Sequence, residues 1–301
     1  MGLLFDDFKS WKVYCEEKNF PLYAPVLEYE IQQKGRTEEA IWQGLQQAYT
    51  VMKEAVVTGL EEDMTSRSGM INNGGKQVYR APVTVLSPEF QKLIARALAA
   101  KEVNSCMGRV VAAPTAGASG ILPGVLVTIQ ELHALDDRRV LEGLLVAAGI
   151  ALIIEQNASL AGAVGGCQAE TGSAAAMGSG AIVFLLGGTI DQVFAAVAIT
   201  IQCMLGLVCD PVAGLVEVPC VVRNASAAAI AYSSAQIALA GVNPVIPVDE
   251  CVQAMGEIGQ SMESRYKETA MGGLAATLTG KSIAKKVLIS NIEVLPDEEQ
   301  P

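Results

Sequence analysis

A chain of 301 residues with 21 Lys and Arg against 32 Asp and Glu has a formal charge of −11. No basic run able to track phosphate interrupts it, so nucleic acid and anionic membrane surfaces are not expected partners. Half the residues are apolar and only 5% aromatic, which predicts a sizeable core built from Ala, Val, Leu and Ile.

Seven cysteines are an odd number. The start, MGLLFDDFKSWK, is amphipathic and charged rather than a basic flank followed by an apolar stretch. The expected location is the cytoplasm, where thiols act as core filling, metal ligands or catalysts and not as a disulfide framework.

Residues 1–65 read as amphipathic helices of an outer packing module. Thr37 is a predicted N-cap with Glu38 and Glu39 in the first turn, and Ile41, Leu45, Ala48, Met52 and Val56 keep helical spacing to Gly59. The stretch 65–88, TSRSGMINNGGKQVYRAPVTVLSP, has no helical period and reads as loop, with a short strand at Val83–Leu86. A helix is predicted over Glu89–Asn104, then a second loop, CMGRVVAAPTAGASGILPG, from Cys106 to Gly124. Ala-rich helices follow to about Ala240, broken at Gly165-Gly166, Gly187-Gly188, Pro211 and Pro219. A last helix near Asp249–Ser264 leads to KETAMGGLAATLTGK (267–281), and the acidic tail VLPDEEQP is expected to be loose.

Three uncharged runs, Thr171–Ile190, Gln192–Cys209 and Asn224–Val248, approach the roughly 20 residues that cross a bilayer. Gly, Ser, Thr, Asn or Gln dilute each of them, and Asp191, Asp210, Glu217 and Arg223 stand at their seams. They read as buried helices of a soluble protein. The expected fold is mainly α: a single domain over 1–301, with an N-terminal helical part (1–65) and a catalytic core (66–290) whose Gly/Pro-rich loops surround a buried site.

Three cysteines stand apart from the rest. Cys167 follows a glycine pair, Cys209 precedes Asp210-Pro211, and Cys220 follows Pro219, so all three are predicted at helix ends. A thiol inside an apolar helix is ordinary filling, whereas one at a helix N-terminus feels a potential that favours thiolate. Three such thiolates suit an iron-sulfur cluster. Their separations of 42 and 11 residues are loose, so by spacing alone buried structural cysteines are the stronger reading.

The surrounding text adds to this. VVAAPTAGASGILPGVL (111–127), GGCQAETGSAAAM (165–177), GLVCDPVAGLVEVPC (206–220) and KETAMGGLAATLTG (267–280) closely resemble the α chain of the iron-sulfur-dependent bacterial L-serine dehydratases. The N-terminal helix, the SRSGMINNGGK loop and the SPEF segment are similar as well, so the resemblance covers nearly all of the chain. It implies a helical catalytic chain in which Cys167, Cys209 and Cys220 hold a [4Fe-4S] cluster, L-serine as substrate, a separate β chain as partner, and a catalytic histidine from that β chain. Three thiolate ligands leave one iron open to act as a Lewis acid on the serine hydroxyl, with pyruvate and ammonia as products.

Under that reading Lys76 and the Thr115–Ser119 loop are candidates for gripping the amino-acid carboxylate, although a tight turn between helices explains the loop equally well. Asn104 and Ser105 are candidates for further hydrogen bonds. Arg223 and Asn224, one turn beyond Cys220, are expected beside the cluster, or else on a solvated helix face. Glu170 is either an acid/base group or a structural carboxylate. His133, the only histidine, reads as an ordinary surface or core residue. Cys15, Cys106, Cys203 and Cys251 are assigned to packing, with Cys106 bordering the substrate loop.

The sequence departs from the family pattern at Leu278, where proline is common, and at Thr171, where a further cysteine is frequent. Its tail also lacks the cysteine with which some relatives cap the open iron. Three rival functions stay open: a cysteine desulfidase-like lyase on the same cluster, a pyridoxal-phosphate dehydratase, which needs alternating strands and helices, and a non-catalytic iron-sulfur scaffold.

Overall fold

A computed structural model describes residues 4–292, and among these the chain forms thirteen α-helices and no strand. The tail expected to be loose lies outside the described residues. The mainly α class follows the sequence; the short strand at Val83–Leu86 does not form, because no neighbouring segment pairs with it. Val83 and Val85 are instead exposed.

Helix α1 (Phe8–Lys18) opens with a capping box in which the Asp7 carboxylate accepts the Ser10 N–H at 2.6 Å. Pro25 sits in the first turn of α2 (Ala24–Lys34), which ends at Gly35 with φ +64°. The Thr37 hydroxyl accepts the Ala40 N–H at 3.2 Å, and α3 (Glu38–Glu61) starts where the sequence places it. These helices are not an outer module. Phe5, Phe8 and Trp11 are buried in the main hydrophobic cluster, where Phe5 stacks on Trp11 at 4.9 Å and Phe8 meets Phe194 edge-on at 5.0 Å.

The predicted 65–88 loop contains a two-turn helix, α4 (Gly74–Arg80). Its glycine-rich start is a poor helix former, but the buried Glu102 carboxylate accepts the Gly74 and Gly75 N–H groups at 2.6 and 2.9 Å. A neighbouring helix thus supplies the missing cap. That neighbour is α5 (Pro88–Ser105). Close approach is possible because glycines face it: a Cβ at Gly124 would lie 2.8 Å from that of Ala97.

The core is completed by α6 (Ile121–His133), α7 (Asp137–Asn157), the single turn α8 (Gly162–Gly165), α9 (Ser173–Leu185), α10 (Ile190–Met204), α11 (Cys220–Leu239) and α12 (Val248–Ser261), with α13 (Leu278–Ile292) outside it. Every residue of α9 is buried, and α6, α7, α10 and α11 pack around it. Its small side chains let those helices close in, and its hydroxyl at Ser179 bonds to Ala176 O and accepts from Thr200 at 2.8 Å. The uncharged runs are therefore core helices. Among the described residues only α7 is long and apolar enough to cross a membrane, and 67% of that stretch is buried within the protein.

Candidate active site

Two loops and one helix start bring Cys167, Cys209 and Cys220 into the interior, where they are 3%, 3% and 8% exposed. Cys167 follows Gly166, whose φ of +74° suits glycine, and leads into a single π-helical turn (Gln168–Gly172) ahead of α9. Cys209 is not at a helix end, since α10 stops at Met204 and the chain runs on irregularly. Its N–H donates to Tyr266 O at 2.8 Å and its carbonyl accepts from Glu268 N at 2.9 Å, so the KETAMGG stretch lies directly against it. Cys220 is the first residue of α11, as the Pro219 pattern predicts.

Side chains hold these segments together. Gln168 accepts the Gly206 N–H at 2.8 Å and donates to Met255 O at 2.9 Å, while its own N–H reaches Leu207 O. Arg223 donates to Val208 O at 2.9 Å and pairs with Asp210 at 2.8 Å. The other Asp210 oxygen accepts the Leu274 N–H at 2.7 Å. Asn224, wholly buried, accepts from Gly120 N at 2.9 Å and donates to Gly117 O and Cys220 O, both at 2.8 Å. The Thr115–Ser119 loop is thereby fastened to the first turn of α11.

The electrostatics are those of a crowded thiol site. The thiols of Cys167 and Cys209 share a hydrogen bond, which lowers Cys167 and raises Cys209; the Thr171 hydroxyl, 2.9 Å from Cys167, and the Arg223 charge lower Cys167 further. Burial first, then the charge of Cys167, pushes Cys220 up to about 12. Burial also raises Glu170, whose carboxylate lies against Gly117 and Gly162; a Cβ at either would come within 3.1 or 2.8 Å of it. Thr115 approaches Glu170 without a hydrogen bond of good geometry, and the Ser119 and Ser173 hydroxyls are buried without a partner. Such groups are costly to leave unmatched.

Lys101 lies beside this site with no exposed surface. Its ammonium donates to Asn104 Oδ1 at 2.8 Å, Val216 O at 2.9 Å and Ser105 Oγ at 3.3 Å, and burial lowers it to about 8. Glu217, in the loop between Cys209 and Cys220, accepts the hydroxyls of Ser66 at 2.5 Å and of Ser68.

Among the described residues no three His, Cys, Asp or Glu side chains converge on a point where one ion would sit. A cluster does not ask for that, because each thiolate holds a different iron. The donor set fits such a group: three buried soft ligands, the Arg223 and Lys101 cations to offset their charge, and orphaned hydroxyls alongside.

The structure brings together Cys167, Cys209, Cys220, Thr115, Ser119, Glu170, Arg223 and Asn224, with Asn104 and Ser105 reaching the site through Lys101. Lys76 points elsewhere: its ammonium binds Asp63 at 2.5 Å and Glu61 O at 3.0 Å, at the end of α3. His133 is exposed at the end of α6. Cys15 and Cys251 are buried and Cys106 half-buried, but Cys203, assigned to packing, is exposed on α10. Sequence reasoning missed the roles of Lys101, Asp210, Glu217 and Gln168. A signal existed for two of them, since Asp210 and Glu217 are isolated charges in an apolar stretch and such charges are buried only when paired or hydrogen-bonded.

These features define an all-helical protein built around a buried, thiol-lined polar site. The serine dehydratase alpha chain family matches residues 17–275. The L-serine dehydratase alpha chain of Peptoniphilus asaccharolyticus is 43% identical over 277 residues, 91% of this chain and 95% of that one. The probable L-serine dehydratase alpha chain of Bacillus subtilis (strain 168) is 41% identical over 289 residues, covering 94% and 95%. An L-serine dehydratase of Streptomyces coelicolor is 38% identical over 277 residues, which make up 88% of this chain but 59% of that longer one. The chain belongs to the serine dehydratase alpha chain family.

Proposed function

We propose that this chain is the catalytic subunit of a cytoplasmic L-serine dehydratase that converts L-serine to pyruvate and ammonia together with a β chain, and that Cys167, Cys209 and Cys220 hold a [4Fe-4S] cluster. One observation carries the reading: three buried cysteines come from separate segments that Gln168 and Arg223 tie to one another and Asn224 ties to a loop whose hydroxyls have no partner of their own. When bound, the cluster supplies a Lewis-acidic iron for the leaving hydroxyl.

The chain's own residues bind and orient. Thr115 and Ser119 offer hydrogen bonds to the substrate carboxylate, and Asn224 fixes their loop against the cysteine-bearing helix. Glu170, raised by burial, lies beside Thr115 and is the acid/base group of this chain. Arg223 offsets thiolate charge and pairs with Asp210, whose other oxygen accepts the Leu274 N–H. Among the described residues no histidine reaches the site, in keeping with a base supplied by the β chain.

Anaerobic loading with iron and sulfide, in the presence of the β chain, tests the reading by visible absorbance and pyruvate release. Cys209→Ala is expected to abolish both, and Cys203→Ala to leave both intact. The reverse ranking overturns the ligand set. Pyruvate from L-cysteine but not from L-serine overturns the substrate in favour of a desulfidase, and a loaded complex that releases none from either is a scaffold.

A further inference from the structure

The outer face of the cysteine site is unlike the rest of the surface. Ala213 to Leu215, between Cys209 and Cys220, form the floor of an open groove of about 560 Å³ whose walls are the 270–276 stretch and α13. The groove is apolar, and two large apolar side chains that line it stand exposed: Met271 is 65% and Leu288 64% exposed. Soluble surfaces rarely group such residues without a partner to cover them.

Charge sets the groove apart a second time. Lys281 lines it, and Lys285 and Lys286 are exposed on the same helix; none of the three forms an ion pair with another described residue. On a molecule of net charge −11, this is a basic helix beside an apolar trough, which fits an apolar element flanked by carboxylates. A second copy pairing this same face about a two-fold axis would set these lysines against their own like charges.

We propose that this groove is the docking surface for the second subunit, which covers it with an apolar, acid-flanked element. The proposal rests on the reading above in taking the companion to be a dehydratase β chain. Two relatives matched over 95% of their length are named alpha chains, and the match to the longer Streptomyces relative takes up 59% of that polypeptide. Docking here would bear directly on the site. Leu274 N bonds to Asp210 next to Cys209, and Glu268 N bonds to Cys209 itself, so the stretch that forms the groove wall is hydrogen-bonded directly to the thiol loop. A subunit seated there is also placed to contribute a side chain to a site that lacks its own histidine.

Hydrogen exchange compares this chain alone with the two-chain enzyme purified after co-expression with the β chain. At least tenfold slower exchange over 270–289 in the complex is expected, with the peptide 238–249, which lies beside α1 and lines no part of the groove, unchanged. Met271→Glu combined with Leu288→Glu is expected to weaken association at least tenfold while the circular dichroism and melting temperature of the free chain stay the same. Lys281→Glu, Lys285→Glu and Lys286→Glu together are expected to weaken it more at low salt than at high salt. A formed complex with no protection over 270–289 overturns the proposal. So does protection that grows with the concentration of the free chain, which would mean self-association, or protection in the free chain that is lost when residues 293–301 are removed. Pyruvate release is scored separately, so a complex that docks here yet is inactive breaks the functional reading and not the surface.

Discussion

Helix α9 and the segment from Gly206 to Cys220 lie against the same core and are held in opposite ways. In α9 the backbone satisfies itself and the surroundings are largely apolar, so burial does most to fix its place, with one side-chain hydrogen bond from Thr200 to Ser179. The segment from Gly206 to Cys220 forms no α-helix before Cys220, and side chains fasten it: Gln168, Arg223 and Lys101 reach into it from other elements, and its own Glu217 reaches out to Ser66. Burial is graded, since a core loses stability in proportion to what is removed. A network of buried polar groups is nearer to all-or-none, because a lost partner strands another group without water. Damage to the core is therefore expected to appear in stability, and damage to the site in function.

The largest stability effect tests the core side of that contrast. Trp11→Ala removes a fully buried ring that stacks on Phe5, contacts Phe194 and donates to Leu22 O at 3.1 Å. A loss of about 3–5 kcal/mol is expected by denaturant unfolding. The variant is expected to keep cluster loading and turnover per folded molecule, as the ring touches none of the site segments. Loss of cluster binding at temperatures where the variant stays folded would show that core and site are not separable.

Asn224→Ala acts on the other side. It deletes one small side chain but strands Gly120 N, Gly117 O and Cys220 O. About 1–3 kcal/mol of stability is expected to go, less than for Trp11, while the pyruvate assay is expected to fall at least tenfold with a rise in the KM for serine as the Thr115–Ser119 loop loosens. A variant that loses stability and leaves KM unchanged would reduce Asn224 to a packing residue.

The same contrast explains what could be read in advance. The start of α3 at Thr37, the run of α5 and the placing of Cys220 on the first turn of α11 follow local rules of capping and spacing, and such rules are written in neighbouring residues. The helix at Gly74 was hidden because its cap, Glu102, is far along the chain. Cys209 looked like a helix end because proline follows two residues on, but α10 stops five residues earlier. The N-terminal helices looked peripheral because their charges are conspicuous and their few aromatics are not, yet those aromatics carry the burial. Cys167, Cys209 and Cys220 stand out through long motifs, while Lys101 and Glu217 do not, since their contacts are with a carbonyl and two hydroxyls brought in from distant segments.

Lys101 gives the smallest expected effect at neutral pH and the most diagnostic one. Lys101→Met keeps the length of the side chain, abandons the bond to Val216 O, and removes an ammonium whose burial is unfavourable; these oppose each other, so a net change of about 1 kcal/mol is expected at pH 7. The pH dependence separates them. In the unfolded chain the amine has its ordinary value of 10.5, and in the folded protein burial lowers it to about 8. Between those values the unfolded state binds more protons, so stability rises with pH there; below about 8 both states are protonated and the cost of burying the charge is borne in full. Wild type is therefore expected to gain on Lys101→Met as pH climbs from about 8 toward 10.5, with thiol and tyrosine titrations common to both proteins cancelling in the difference. A flat difference across that window would mean that the amine stays charged and hydrogen-bonded throughout, and that the Cys209–Cys220 segment is held by a permanent cation rather than by a proton it can lose.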